Sequence, residues 1–142
     1  MGLEWYHLSM KLITRNTDYA IRAACALAGA GKELMDVPTL VRRIKVPRPF
    51  LRKVLQTLGR HGIIKSYKGI GGGFRLARDP GKIMLIDIIR IFQGPFALNE
   101  CFLMKSLCPE RSRCVLKKKI DVIESHVLSE LKSITLADII KG

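Results

Sequence analysis

The stretch Val46–Ala77, VPRPFLRKVLQTLGRHGIIKSYKGIGGGFRLA, decides the fold. Its first half places Leu51, Val54, Leu55 and Leu58 at i, i+3, i+4 and i+7, one apolar face of a helix. Gly62 supplies the stop, because glycine adopts the left-handed conformation that ends helices. Just upstream, DVPTLVRRI reads as a shorter helix. Asp36 is its candidate cap, Pro38 suits the first turn, and Leu40, Val41 and Ile44 form its buried stripe. Between the two lies KVPRP, where each proline disfavours helix at the residue before it. Two short helices with a tight break between them match helix-turn-helix organisation.

The second helix keeps Arg48, Arg52, Lys53, Gln56 and Arg60 off its apolar face, with no acid among them. Arg48, Arg52 and Gln56 step by four and share a stripe. Arginine forks onto guanine edges and glutamine pairs with adenine, so the stripe suits a major groove. The second half of the stretch reads as two strands, Ile63 to Tyr67 and Phe74 to Ala77, joined through KGIGGG. The glycines do not open a helix after a buried strand, so a dinucleotide-phosphate loop is a poor reading. A hairpin wing is the better one. Lys65, Lys68, Arg75 and Arg78 would hold phosphate oxygens, and the tip with Gly71 and Gly72 would reach toward a minor groove. The predicted architecture is mainly α with a small β-hairpin wing: a winged helix-turn-helix DNA-binding domain followed by a long C-terminal dimerisation helix.

Charge points the same way. The 142 residues carry 25 Lys and Arg against 12 Asp and Glu, a net +13. Leu40–Lys82 alone holds twelve basic residues and one acid, Asp79. Solubility does not require such concentration, whereas neutralising phosphates does. Double-stranded DNA is the expected partner.

Outward from this segment, NTDYAIRAACALAGAG reads as a helix capped by Asn16 or Thr17, with Ala20, Ala24, Leu27 and Ala28 inward and Cys25 as a small core side chain. Ile83 to Phe92 is apolar enough for a buried helix ended by QGP. From Val115 a long helix carries Ile120, Ile123, Val127, Leu131 and Ile134 at spacings of three and four, a seam like that of a coiled coil. Packing on its own domain would also use such a seam; a homodimer interface is the favoured reading, since symmetric regulators read paired half-sites. Thr135 and Asp138 have capping-box spacing before a last short helix. The division expected is an N-terminal extension or tag over 1–9, the DNA-binding domain over 10–82, and the cysteine loop (about 97–116) with dimerisation helices over 83–142. No apolar run has the roughly 18 residues of a membrane helix, and MGLEWYHLSMK lacks a signal-peptide core. A cytoplasmic, reducing compartment is expected, which argues against disulfides.

Three of the four cysteines fall in CFLMKSLCPERSRC: Cys101, Cys108 and Cys114. Thiolates in such a loop select zinc, copper(I) or iron–sulfur clusters. Nearby Lys105, Arg111, Arg113 and Lys117 would favour the thiolate. A structural zinc site usually has four ligands and often a C-x-x-C pair, and this loop has three thiols and no histidine. A thiol enzyme is a poor reading without a C-x-x-C pair. His7, His61 and His126 form no constellation with the cysteines, and no enzymatic activity is expected.

From about Met10 onward the chain resembles the Rrf2 family of winged-helix regulators. The resemblance rests on TDYAIRA, on Val46–Ala77, on IDIIRIFQG, and on the cysteine trio, in that order. It implies a dimeric regulator, a repressor in the first instance, that binds operator DNA and carries an iron–sulfur cluster on Cys101, Cys108 and Cys114. IscR-like members place a histidine three residues after the last cysteine; here Lys117 stands there, and a protonated lysine cannot ligate. NsrR-like members use an aspartate near the start of the first helix, reaching across from the other subunit, and Asp18 matches it. That donor set favours a four-iron over a two-iron cluster and nitric oxide as the signal, with redox state or iron–sulfur status as the other inputs the family implies. Two departures stand out. The first cysteine interval has six residues where five is usual, and Arg52 stands where IscR-like members have glutamate. The other reading of the loop is a structural zinc, or no metal at all.

Overall fold

The computed structural model describes residues 11–98 and 114–142. The expected N-terminal extension, Cys101 and Cys108 lie outside the described residues.

The first helix, α1 (Arg15–Gly29), starts earlier than its expected caps. Thr14 is the cap: its backbone is extended, its hydroxyl accepts from the Thr17 N–H, and it meets the Thr17 hydroxyl at 2.9 Å. Thr17 itself is fully buried, so its side chain is spent on the core side of the helix. Ala20, Ala23, Ala24 and Leu27 are buried without remainder. The helix α2 (Val37–Ile44) begins at Asp36, whose carboxylate accepts from Thr39 N–H at 2.9 Å. It ends at Lys45, which takes φ 54°, the one non-glycine residue with positive φ among those described. The helix α3 (Arg48–Arg60) buries Leu51, Val54, Leu55 and Leu58, the whole face expected of it.

The hairpin follows at once. Strands β1 (Ile64–Tyr67) and β2 (Gly73–Leu76) pair antiparallel, Ile64 facing Leu76 and Lys65 facing Arg75. A third rung comes from the segment before α2. Met35 N–H donates to Phe74 C=O at 3.0 Å, and Phe74 N–H donates to Met35 C=O at 2.9 Å. A single residue pairing with a strand leaves no period-two pattern, so this rung was not readable in advance. It explains Gly73: a Cβ there would lie 2.8 Å from the Met35 carbonyl carbon and oxygen.

A short turn at Pro80–Lys82 leads to α4 (Leu85–Gln93), which starts two residues later than expected. Ile83 is buried but not helical, because its carbonyl accepts from Leu136 N–H at 2.8 Å, while Leu85 N–H donates to the Ile134 carbonyl at 2.9 Å. These bonds fasten the end of α5 (Val115–Ser133) and the start of α6 (Leu136–Lys141) to the entrance of α4. The Thr135–Asp138 capping box is present in full. The buried Leu136, Ile83 and Ile88 belong to the same core as α1, α2 and α3.

A second, smaller cluster joins α4 to α5: Leu85, Ile86, Ile89 and Leu131, flanked by Val127, Leu128 and Ile134. Part of the expected seam packs within its own chain. Leu131 is 7% exposed and packed inside its own chain, and Val127 is half-buried there. Ile120 is half-buried, and Ile123 remains 54% exposed. The seam is divided because one helical stripe is wide enough to face its own domain at one end and solvent at the other. Among the described residues no helix is long and apolar enough to cross a membrane.

Two outcomes follow from this packing. Gly73→Ala must open the Met35 rung, and urea denaturation should show a loss of about 1–3 kcal/mol. The hydroxyl and amide of Thr135, with Lys141 beyond, hold the Asp138 carboxyl below its ordinary 3.8. A depressed folded pKa stabilises above the unfolded value, and that contribution disappears as pH falls through the folded one. Melting temperature should therefore drop on acidification below about pH 4, and Asp138→Asn should flatten that part of the curve while lowering stability at neutral pH.

Candidate nucleic-acid interface and thiol segment

Because α3 spends its leucines and valine on the core, Arg48, Arg52, Lys53, Gln56 and Arg60 are exposed. The hairpin packs alongside and converts part of this face into a groove of about 560 Å³. Arg52, Gln56 and Arg60 line one side of it, and Ser66, Lys68 and Phe74 the other. The structure thus brings Arg52 and Gln56 together with Lys68, three of the expected contact residues from two elements. Arg48 and Lys53 lie on the same helix outside the groove lining.

Lys65 and Arg75 face each other across the hairpin and line a second concavity of similar size with Lys32 and Arg78. Like charges directly opposite on a sheet are unfavourable. The neighbouring arginines are held by neutral partners. The Arg75 guanidinium lies 4.8 Å from the Tyr67 ring centroid, and Arg78 Nε donates to the Gly62 carbonyl at 3.3 Å. Among the described residues no cation of α3 or the hairpin is ion-paired with a carboxylate; the pairs there are Arg22 with Asp18 and Lys117 with Asp121. An unneutralised basic surface of this kind is suited to phosphate, which releases counterions on binding. Gly71 and Gly72 serve the turn first: Gly71 takes φ 76°, and a Cβ on Gly72 would lie 2.2 Å from the Tyr67 carbonyl oxygen.

Sequence reading missed two residues of this surface. Lys32 comes from the turn after α1 and joins only through the fold. Phe50, 49% exposed in the first turn of α3, rests its ring 6.4 Å from that of Tyr19. Its signal was available, since it falls off the i, i+3, i+4 face that buries the rest of α3.

At the other end of the molecule, Cys114 is the N-cap residue of α5 and is half-buried. Burial pushes the Cys25 thiol up, and Cys25 has the character of a small core side chain. Lys117 is paired with Asp121 one turn along α5. Asp18 is half-buried in the first turn of α1, with Arg22 Nε 3.0 Å from its carboxylate. The segments leading to the thiols are anchored by side chains: Gln93 accepts from Thr14 N–H at 2.9 Å and donates to the Leu12 carbonyl at 3.2 Å, and Glu124 accepts from Leu98 N–H at 2.9 Å. Among the described residues no three of His, Cys, Asp or Glu converge on a metal position.

Comparison with known proteins bears on both ends. Residues 13–142 match the family described as Rrf2, Iron-dependent Transcriptional regulator. The HTH-type transcriptional regulator NsrR of Bacillus subtilis is 33% identical over 135 residues, covering 94% of this chain and 92% of the relative. Among solved structures, T. potens IscR superposes with a TM-score of 0.73 at 27% identity over 91% of this chain and 85% of that one. CymR, the global cysteine regulator of B. subtilis, superposes at 0.77 with 25% identity over 93% and 98%. The two solved structures match this chain's mainly helical fold with its two-stranded hairpin, the architecture that the sequence predicts.

Two substitutions separate the roles within the groove. Lys68→Ala should weaken binding to all duplexes and lower the slope of log affinity against log salt by about one. Arg52→Ala should instead change which base pairs are preferred, by roughly 1–3 kcal/mol at one position. Fluorescence anisotropy across a salt series and a panel of duplexes reads both.

Proposed function

The chain belongs to the Rrf2 family of transcriptional regulators, and from that premise we propose a homodimeric DNA-binding repressor whose operator affinity is set by an iron–sulfur cluster. The observation that carries the DNA part is the unpaired basic groove in which Arg52 and Gln56 of α3 stand beside Lys68 of the hairpin. In this reading Arg48, Arg52, Lys53 and Gln56 enter the major groove, and Lys65, Lys68 and Arg75 hold the flanking phosphates. Two such heads read two half-sites. The solvent-facing Leu116, Val122 and Ile123 of α5, each more than half exposed, supply apolar area for the dimer contact.

The thiol segment fits a thiolate-bound group. Cys114 stands half-buried at the N-cap of α5, and the Lys117 amine is engaged by Asp121. Cys101, Cys108 and Cys114 would hold the cluster, with Asp18 of the partner subunit as fourth donor. When bound, the cluster supplies a centre that reacts with nitric oxide or oxidants. The chain's own part is to choose between two dimer arrangements. Asp18 either engages the cluster of the other subunit or remains with Arg22 on its own α1, and α1 packs directly on α3. Losing the cross-subunit donor releases the constraint between the two heads.

One observation favours a second reading. The superposition on CymR, a cysteine regulator by its title, is at least as close as that on IscR. Under that reading the cysteine segment holds a structural zinc or no metal, and DNA binding answers to a different signal.

Anaerobic purification with visible absorption, iron and sulfide analysis separates the two. The cluster reading expects coloured protein with iron and sulfide in equal amounts. Asp18→Ala should lower the iron retained and shift the spectrum, and Lys117→Ala should change neither. Because the side chains of the Asp18–Arg22 pair remain open to solvent, its removal costs the fold under about 1 kcal/mol. Colourless, zinc-bearing or metal-free protein would overturn the cluster and leave the DNA assignment standing.

A further inference from the structure

The tip of the hairpin carries an isoleucine that neither the turn nor the core uses. Gly72 N–H donates to the Gly69 carbonyl at 3.1 Å, closing a four-residue turn over Gly69–Gly72. Gly71, in its third position, takes φ 76°, the mark of a type II turn. Ile70 is in the second position, where proline or almost any polar residue serves equally well. Glycine is required at 71 by its dihedral and at 72 by the Tyr67 carbonyl, but nothing local requires an apolar side chain at 70. Ile70 is nevertheless fully exposed, the most exposed of the large apolar residues described.

Its surroundings say what it meets. Lys68, Tyr67 and Arg75 stand just below it on the same hairpin, in a segment with twelve basic residues and one acid. A tip flanked by cations is steered onto a phosphate-lined surface, and its leading side chain then meets whatever lies between the phosphates. An isoleucine has no donor or acceptor. In the minor groove it can pack on deoxyribose walls beside an A·T pair. Beside a G·C pair it would strip water from the guanine 2-amine and offer nothing in return.

Resting on the DNA-binding reading above, we propose that Ile70 is a specificity-determining residue: it packs into the minor groove beside each half-site and selects A·T over G·C there by excluding the guanine 2-amine. This selection is separate from the major-groove contacts of α3 and independent of the cluster.

The test selects duplexes from a random-sequence library with the wild-type chain, Ile70→Ser and Ile70→Leu, then measures the affinity of the wild-type-selected duplex for each across a salt series. Wild-type pools should carry A·T pairs at positions flanking those read by α3. Ile70→Ser should lose that preference, keep the rest of the selected sequence, and bind about ten-fold more weakly with an unchanged salt slope. Ile70→Leu should retain both preference and affinity. Placing G·C at the flanking position should weaken wild-type binding by about ten-fold, and inosine in place of guanine, which lacks the 2-amine, should restore it. If Ile70→Ser matches wild type in sequence and affinity, the proposal fails while the DNA reading stands. If Ile70→Ser leaves DNA binding intact but dissociates a larger assembly in sedimentation, the tip is a protein contact and the proposal fails. If the wild-type chain selects no sequence, the DNA reading falls and takes this inference with it.

Discussion

Three alanines with no exposed surface, Ala20, Ala23 and Ala24, let the rest of the molecule close on α1. Side chains this small bring helix backbones close together, and α1 packs against α2, α3, α4, α6 and β2. Interiors are packed like organic crystals, so a rod held on this many sides cannot shift against one neighbour alone. The same rod carries Asp18 in its first turn and meets α3 along its length. Asp18 and the exposed face of α3 are therefore carried by elements that pack directly on one another. The Tyr19–Phe50 contact adds an aromatic link between the first turns of α1 and α3.

The second governing feature is charge kept without counter-charge. A fold gains nothing from facing Lys65 with Arg75, and the hairpin's arginines rest on uncharged groups: Arg75 on the Tyr67 ring and Arg78 on the Gly62 carbonyl. Carboxylates would stabilise the free protein and then compete with phosphate. Using neutral supports leaves the positive potential available at some cost to the uncomplexed fold.

Much of this was legible in sequence because it depends on local rules. The leucine and valine positions of α3 follow directly from a 3.6-residue period, and all four are buried. The Asp36 cap and the Thr135–Asp138 box depend on residues three apart and needed no tertiary information. The failures share one cause, long-range partners. Thr14 displaced Asn16 and Thr17 as the cap because Thr17 was claimed by the core. Met35 became a sheet residue by meeting Phe74 across some forty positions of chain. Ile83 left α4 to bond Leu136. Leu131 fitted a seam by period, and the period is silent about which surface the seam meets. The paired state of Lys117 also needed the fold, although its charge alone already argued against ligation.

The anchoring of α5 at one end has a mechanical consequence. Leu131 and the bonds around Ile83, Leu85 and Leu136 clamp its C-terminal end into the head, while its first half carries Val115, Leu116, Val122 and Ile123 in solvent. About 17 residues separate Leu131 from Cys114, roughly 25 Å of helix. The helix is a lever with its fulcrum at Leu131. A tilt of about 5° at that fulcrum carries the thiol end through about 2 Å, on the order of a metal–ligand bond. Run in reverse, a shift of that size at Cys114 becomes a rotation of only a few degrees at the head.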